Sequence, residues 1–373
     1  MSSTKVFIVG AGFSMYAGLP LQKDFTEGLL EPRADESHPM EPLVRHLGKF
    51  IHDAFDHGET AKAKFWPNLE DVFTNIDMAA NTGHHLGPSH APSDLRTTRR
   101  VLLARMIRML DERYALAEAG ASQEWKMLRQ FFKRLDLNHS SFISINWDTV
   151  IERFLAEVHG VLNIDYGCKA IAAEFPKHGK VIVEKKIPIA TTVVPVIKIH
   201  GSVNWLYCDN CRNVYWFPAN DVSTIATQLL GREEGKRLGL SDYSNCGKWT
   251  CTNCRKVPLT TRIATFSYLK ALEFPMFERS WLSAERLLRD AGKWIFIGYS
   301  LPAADYEFKH LLKRVQLSRK VPPEFLIITG GQPNVTDETY YNYQRFFGRG
   351  IRRDETFLRD GLTKQAVDAI HAD

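Results

Sequence analysis

Five short apolar runs and several longer amphipathic stretches partition the chain. Lys5-Val-Phe-Ile-Val9 is apolar, brief and closed by Gly10, the pattern of a buried strand. Ser141-Phe-Ile-Ser-Ile145, the run 192–199 with Pro195 near its beginning, Lys293-Trp-Ile-Phe-Ile297 and Phe325-Leu-Ile-Ile328 read the same way. Between them, apolar residues recur at threefold and fourfold spacing over 41–55 and 95–113, which predicts amphipathic helices. A further helix opens at Asn68, with Glu70 and Asp71 in its first turn, where carboxylates suit the helix dipole. Helices are also predicted over 149–158, 303–315 and 340–347, so that 40–136 is mostly helical. The Gly, Pro, His and Ser content of 81–94 marks a loop.

Strands alternating with helices imply a parallel sheet covered on both faces. In such sheets the ligand crevice lies beyond the carboxyl ends of the strands. Residues 10–14, 146–148, 200–202 and 298–300 all fall at such ends, and these four parts of the chain converge on one candidate site. The first is Gly10-Ala11-Gly12-Phe13-Ser14. Without Cβ atoms, Gly10 and Gly12 let a pyrophosphate approach the backbone. The third glycine of a full dinucleotide fingerprint would fall at Met15, so the same residues equally serve an ordinary tight strand-to-helix turn. His200 ends a buried run, where an imidazole is either a general base or a satisfied core residue. Asn146 and Asp148 precede a helix and are candidate caps as well as candidate ligands.

Five of the six cysteines lie between 208 and 254. Cys208-Asp-Asn-Cys211 and Cys251-Thr-Asn-Cys254 have the spacing of a closed tetrahedral zinc site, which leaves no open position for chemistry. Cys246 is an alternative to one member of a pair. Cys168 stands apart and reads as a small buried hydrophobe. Such clustering suits a metal in a reducing compartment better than a disulfide framework.

The 373 residues suffice for a large core, and 44% hydrophobic with 24% charged residues is ordinary globular composition. A formal charge of +5, from 48 basic and 43 acidic residues, is dispersed rather than clustered, so nucleic acid is not indicated as a partner. No run approaches the roughly 20 apolar residues of a membrane span, and 5–9 is too short for a signal sequence. The expectation is a cytoplasmic protein.

In combination these motifs resemble the sirtuin (silent information regulator) family of NAD-dependent enzymes. Gly10 to Ser14 looks like its Gly-Ala-Gly-x-Ser turn, with Gly18-Leu-Pro20 following as Gly-Ile-Pro does. Ile145-Asn146-Trp147-Asp148 is similar to its Gln-Asn-Ile-Asp loop, His200-Gly201 to its catalytic His-Gly, and Gly298-Tyr299-Ser300-Leu301 to its Gly-Thr-Ser-Leu loop. The zinc pairs follow in the expected order. Two features of protein-deacylating members are missing. Leu21-Gln22-Lys23-Asp24-Phe25 lacks the arginine of Asp-Phe-Arg, and no Phe-Gly-Glu occurs between 255 and 297, where Phe274-Pro275 stands instead. The chain therefore looks more like the divergent bacterial branch that hydrolyses NAD, often in antiphage defence, although many members of that branch lack a zinc ribbon.

The resemblance implies cleavage of the nicotinamide–ribose bond of NAD. His200 and Asn146 would be catalytic. Gly10, Ala11, Gly12, Phe13, Ser14, Pro20, Asn146, Asp148, Gly298 and Ser300 would bind the dinucleotide, and Cys208, Cys211, Cys251 and Cys254 a structural zinc. Protein-lysine deacylation is the alternative activity, and non-catalytic sensing of NAD or ADP-ribose a further one. A homo-oligomer or a regulatory protein partner would restrain the enzyme. The expected architecture is an α/β, Rossmann-like parallel sheet with helices on both faces. It comprises residues 1–203 and 263–350, a helical insert at about 30–138, a zinc-ribbon module at 204–262 and a tail at 351–373.

Overall fold

The computed structural model describes residues 4–31, 40–55, 66–161, 163–188, 192–264 and 275–371. Residues 56–65 of the expected helical region, Phe274 and the last two residues of the tail lie outside these. In chain order the strands are β1 (Lys5–Val9), β2 (Ser140–Ser144), β3 (Asn163–Asp165), β4 (Ala170–Glu174), β5 (Val183–Glu184), β6 (Val193–Lys198), β7 (Trp205–Tyr207), β8 (Val214–Trp216), β9 (Lys293–Ile297), β10 (Glu324–Ile328) and β11 (Phe357–Leu358). The helices are α1 (Ala11–Ser14), α2 (Phe25–Leu29), α3 (Glu41–Phe55), α4 (Leu69–Thr82), α5 (Pro92–Gly120), α6 (Gln123–Lys133), α7 (Val150–His159), α8 (Val222–Gln228), α9 (Arg232–Leu238), α10 (Pro275–Asp290), α11 (Tyr306–Ser318), α12 (Pro333–Phe347) and α13 (Lys364–His371).

Seven strands form one parallel sheet in the order β11-β10-β9-β1-β2-β6-β3. Side chains alternate along a strand, so an unbroken apolar run serves two faces at once. In β1, Phe7 and Val9 enter one core while Val6 and Ile8 enter the other. In β9 the same division separates Ile295 and Ile297 from Trp294 and Phe296. The first face is covered by α6, α7 and α13, the second by α10, α11 and α12. This is the Rossmann-like α/β architecture expected from the sequence, and the five predicted strands are its central five. The sheet's winding reverses at β1: the chain leaves towards β2 and β6 on one side, and returns to β9 and β10 on the other. The carboxyl ends of β1 and β9 thus flank the position where such sheets open a crevice.

The insert is dominated by α5, whose 29 residues extend well past the predicted 95–113. Its Arg105 is buried, donates to the carbonyl oxygens of Gly28 and Leu29, and pairs with Glu112 at 2.9 Å. The second sheet, ordered β5-β4-β8-β7, draws strands from 170–184 as well as from 205–216. Residues 204–262 also hold α8 and α9, two short helices that the sequence pattern did not separate. Beyond 350, β11 joins the sheet edge and α13 packs Val367 and Ile370 into the core. Among the described residues no helix is long and apolar enough to cross a membrane.

Candidate active site

At the switch between β1 and β9, two loops cross with almost no space between their backbones. The Gly12 amide donates to the Gly298 carbonyl at 2.9 Å, and the Gly10 amide to that of Ile297 at 3.1 Å. Gly298 has φ +62, and a Cβ there would lie 2.1 Å from the Phe13 nitrogen. Here the glycines are required by the contact between the loops: the amides of Gly10, Gly12 and Phe13 all donate within the protein. Phe13 itself is fully buried, with its ring edge-on to Phe131 and Phe132, so only its backbone faces the crossing. The 298 loop is fixed from behind, where the Tyr343 hydroxyl donates to the Tyr299 carbonyl at 2.8 Å. Leu301 completes the turn in the left-handed region at φ +57, a strained choice for a residue with a branched side chain.

The loop after β2 joins this crossing. The Asn146 amide group donates to the Gly10 carbonyl at 2.8 Å and to the Ser14 hydroxyl at 2.8 Å, and that hydroxyl donates to Asp148 Oδ2 at 2.6 Å. Asp148 Oδ1 accepts from the Val150 amide at 3.0 Å, so this carboxylate also caps the start of α7. The capping reading of Asp148 is met by this contact. Ser14, Asn146 and Asp148 form one connected polar unit, and Gly10, Gly12 and Gly298 form its backbone wall. Ala11 opens α1 between them. Ser300 is exposed at the rim, and Pro20 stands just before a turn at Gln22–Asp24; among the described residues no side-chain hydrogen bond ties either to the unit.

His200, 7% exposed, follows β6 next to that loop. Its Nδ1 lies 3.2 Å from the Ile145 carbonyl oxygen. A carbonyl only accepts, so Nδ1 carries a proton and donates it to this oxygen. Around it, the Ala264 amide donates to the His200 carbonyl at 3.0 Å, the Trp147 indole to the Ala264 carbonyl at 3.0 Å, and the Val203 amide to the Trp147 carbonyl at 2.9 Å. Asn146, Asp148 and His200 are thereby set on one braced frame.

Sequence reasoning missed what lies beneath. Lys198 shares the strand parity of Val194 and Val196, faces α7 and is completely buried. Its ammonium donates to the carbonyl oxygens of Asn146 and Asp148 and sits 3.4 Å from Glu152. Burial pushes the Glu152 carboxyl above its ordinary value, with Lys198 pulling the other way. Tyr166 donates to Glu152 at 3.4 Å and accepts from Asn204 at 3.2 Å. A lysine inside an apolar run was the available signal, because an unpaired buried charge is not tolerated.

The four predicted cysteines come together, with all four sulfurs within 4.8 Å of one another. Tetrahedral zinc–thiolate bonds of about 2.3 Å set sulfurs about 3.8 Å apart. Cys208–Cys254 is 3.7 Å, Cys211–Cys251 3.8 Å and Cys251–Cys254 3.1 Å. The donor set therefore fits a structural zinc. Backbone amides of Lys256 and Val257 pull the Cys254 thiol down to about 6, whereas burial pushes Cys208 up to about 12. Four thiols so close ionise together only against a cation. Gln228 of α8 braces the module through bonds to Trp249 and Leu259. Cys246 lies outside the cluster, beside Gly235 of α9, which settles the alternative left open by its spacing. Burial raises the Cys168 thiol to about 11, in keeping with an inert residue.

No family model matches the chain, and no curated protein matches it. Several solved structures are similar to it over nearly its whole length. One described as "Structural Basis for the Mechanism and Regulation of Sir2 Enzymes" is 13% identical, with 98% of this chain and 90% of that chain covered and a TM-score of 0.39. "Structure of Sir2Tm bound to a propionylated peptide" and "Sir2-p53 peptide-NAD+" are each 14% identical over the same shares, with TM-scores of 0.31. At these scores the likeness is loose.

Proposed function

We propose that this chain is an NAD-dependent, sirtuin-like enzyme that cleaves the nicotinamide–ribose bond and passes the ribose to water, releasing ADP-ribose. The observation carrying this reading is the juxtaposition of Asn146, Asp148 and Ser14 with a histidine whose Nδ1 is tied to a backbone carbonyl. Nicotinamide leaves as a neutral molecule from a cationic ring, so acid catalysis is not required. The demand falls on stabilising positive charge at the ribose and on placing the acceptor. Asp148 offers a carboxylate to the carboxamide, with Ser14 among the residues lining the dinucleotide. Asn146 orients the ribose or the water, and His200 takes the proton through Nε2. Gly10, Ala11, Gly12, Phe13, Gly298 and Ser300 line the dinucleotide, with Pro20 at the edge. Cys208, Cys211, Cys251 and Cys254 hold zinc, which supplies structure to the small module.

Protein-lysine deacylation is the second reading, favoured by the intact four-sulfur cluster. Purified protein incubated with NAD alone, then with NAD and an acetylated peptide, separates the two. ADP-ribose released without peptide supports hydrolysis; turnover confined to the peptide reaction, with O-acyl-ADP-ribose as product, supports deacylation. His200→Ala abolishes turnover and leaves zinc content intact, and unchanged activity in that variant would remove His200 from the site. Unrestrained hydrolysis would exhaust a cell's NAD, so control by self-assembly or by a partner, as in antiphage defence, fits this activity. Specific activity compared across size-exclusion fractions tests that control.

A further inference from the structure

The loop that carries Asn146 and Asp148 is largely buried yet is neither strand nor helix, so no regular ladder satisfies its carbonyl groups. β2 and β6 stay in parallel register only as far as Ser144 and Lys198. Beyond that point the chain after β6 takes up the loop carbonyls one by one. His200 Nδ1 donates to the Ile145 carbonyl at 3.2 Å. The Lys198 ammonium donates to the Asn146 carbonyl at 3.4 Å and to that of Asp148. The Trp147 carbonyl accepts from the Ser202 hydroxyl at 3.2 Å and from the Val203 amide at 2.9 Å. The carbonyls of Ile145, Asn146, Trp147 and Asp148 are thus all held by one short segment, 198–203, with His200 inside it.

Lys198 and Ser202 are both completely buried, so neither side chain can touch a bound dinucleotide or a reacting water. A buried ammonium or hydroxyl is costly unless it is bonded, and what these two bond is the loop. Glu152 of α7 stands 3.4 Å from the ammonium and keeps it between α7 and the loop. The division of labour within the loop is clear. The side chains of Asn146 and Asp148 reach Gly10, Ser14 and the start of α7, while their carbonyls turn the other way, to Lys198.

We infer that Lys198 and Ser202 are positioning residues for NAD cleavage: together they clamp the backbone of 146–148 and so fix Asn146 and Asp148 relative to the His200 ring. The inference rests on the preceding reading of those three residues. The clamp belongs to the same segment as His200, so the histidine and the loop it works with are set by one piece of chain. Catalysis is sensitive to such placement, since a shift of about 1 Å in a reacting group can cost about a hundredfold in rate.

Two variants of the full chain test it: Ser202→Ala, and Lys198→Met/Glu152→Gln, which removes the ammonium without stranding the Glu152 charge. The readouts are NAD cleavage with and without acetylated peptide, ADP-ribose affinity by isothermal titration, and amide hydrogen exchange over 146–150 and at 203. In Ser202→Ala, kcat falls about fivefold, the worth of one neutral hydrogen bond, while KM for NAD holds. Its melting temperature changes little, because the Trp147 carbonyl keeps the Val203 amide. In the double variant kcat falls about a hundredfold, for the loss of two charge-assisted contacts to the loop. In both variants ADP-ribose affinity holds, and the amides of Val150 and Val203 exchange faster than in the unmodified chain. A merely structural role would lower affinity and kcat together. Unchanged kcat in both variants, a loss of ADP-ribose affinity that matches the loss of kcat, or unchanged exchange at Val150 and Val203 would each overturn the inference. Absence of NAD cleavage by the unmodified protein would instead overturn the preceding reading, and exchange alone would then decide whether the clamp holds the loop.

Discussion

Lys198→Met removes the buried cation beneath the Asn146–Asp148 loop. Lys198 is fully buried, 3.4 Å from Glu152, and its ammonium also holds two loop carbonyls. Breaking a buried pair by deleting one partner costs about 3–5 kcal/mol, because the surviving charge stays desolvated. Glu152 is the survivor here, with Oε2 already lacking a partner. Its carboxyl is raised above the ordinary value by burial, and loss of Lys198 raises it further. A carboxyl whose folded pKa lies above its unfolded value destabilises the fold once pH exceeds the unfolded value. That penalty grows until the folded pKa is passed, and it vanishes at lower pH, where both states are protonated. Lys198→Met is therefore least stable, by about 3–5 kcal/mol, at pH 8, and the deficit shrinks as pH falls towards 5. Urea denaturation at several pH values, with m held constant, measures it. The double variant Lys198→Met/Glu152→Gln removes the stranded charge and recovers about 1–3 kcal/mol at pH 8. It still leaves the carbonyls of Asn146 and Asp148 without their donor, so amide exchange over 146–150 stays faster than in the unmodified chain. A deficit independent of pH, together with a double variant no better than the single one, would refute the charge-pair account.

Three further outcomes follow from close contacts and buried groups. Gly298→Ala forces a Cβ to 2.1 Å from the Phe13 nitrogen at φ +62, so it unfolds the crossing and destabilises the protein by several kcal/mol (roughly 3 or more). Gly48→Ala, mid-helix in α3 with nothing within 4 Å, instead stabilises by about 0.5–1 kcal/mol; both are read by thermal melting. Metal analysis finds one zinc per chain, and Cys208→Ser or chelation releases it and lowers the melting temperature; full stability without metal would contradict a structural site. His371, held down to about 4 first by burial and then by Arg134, contributes stability that is present above about pH 6.5 and lost as pH falls towards 4. His371→Leu flattens that slope in pH-dependent melting.

The central strands were legible because each is buried on both faces, and a run such as Lys293–Ile297 has no other way to be soluble. Their ends carried the site for the same reason, since strand direction fixes which loops gather at one edge. The small module was less legible. Its strand Ala170–Glu174 carries three alanines and no strong alternation, and the seven-residue helices α8 and α9 are too short for a clear period. Spacing alone left Cys246 as a candidate ligand, and only the packing of α9 against it removes it from the cluster. The two phenylalanines in α6's last turn, Phe131 and Phe132, drew no notice in the chain, yet both pack edge-on against Phe13.

The glycine turns show why a motif and its physical cause need separate treatment. In the sequence, Gly10 and Gly12 leave two readings open, room for a pyrophosphate and an ordinary tight strand-to-helix turn. In the fold the Gly298 backbone packs where their Cβ atoms would lie, and the Gly12 amide is bonded to its carbonyl. The same absence of Cβ atoms therefore serves loop-to-loop packing first. That packing in turn sets the Gly10 carbonyl where Asn146 reaches it at 2.8 Å. Asn146 is thus held from above by the glycine crossing and from below by Lys198, while the carbonyl of Ile145, its neighbour, accepts from His200. A substitution at any one of these supports reaches the same two side chains, so variants at Gly298 and Lys198 should be strongly non-additive in activity.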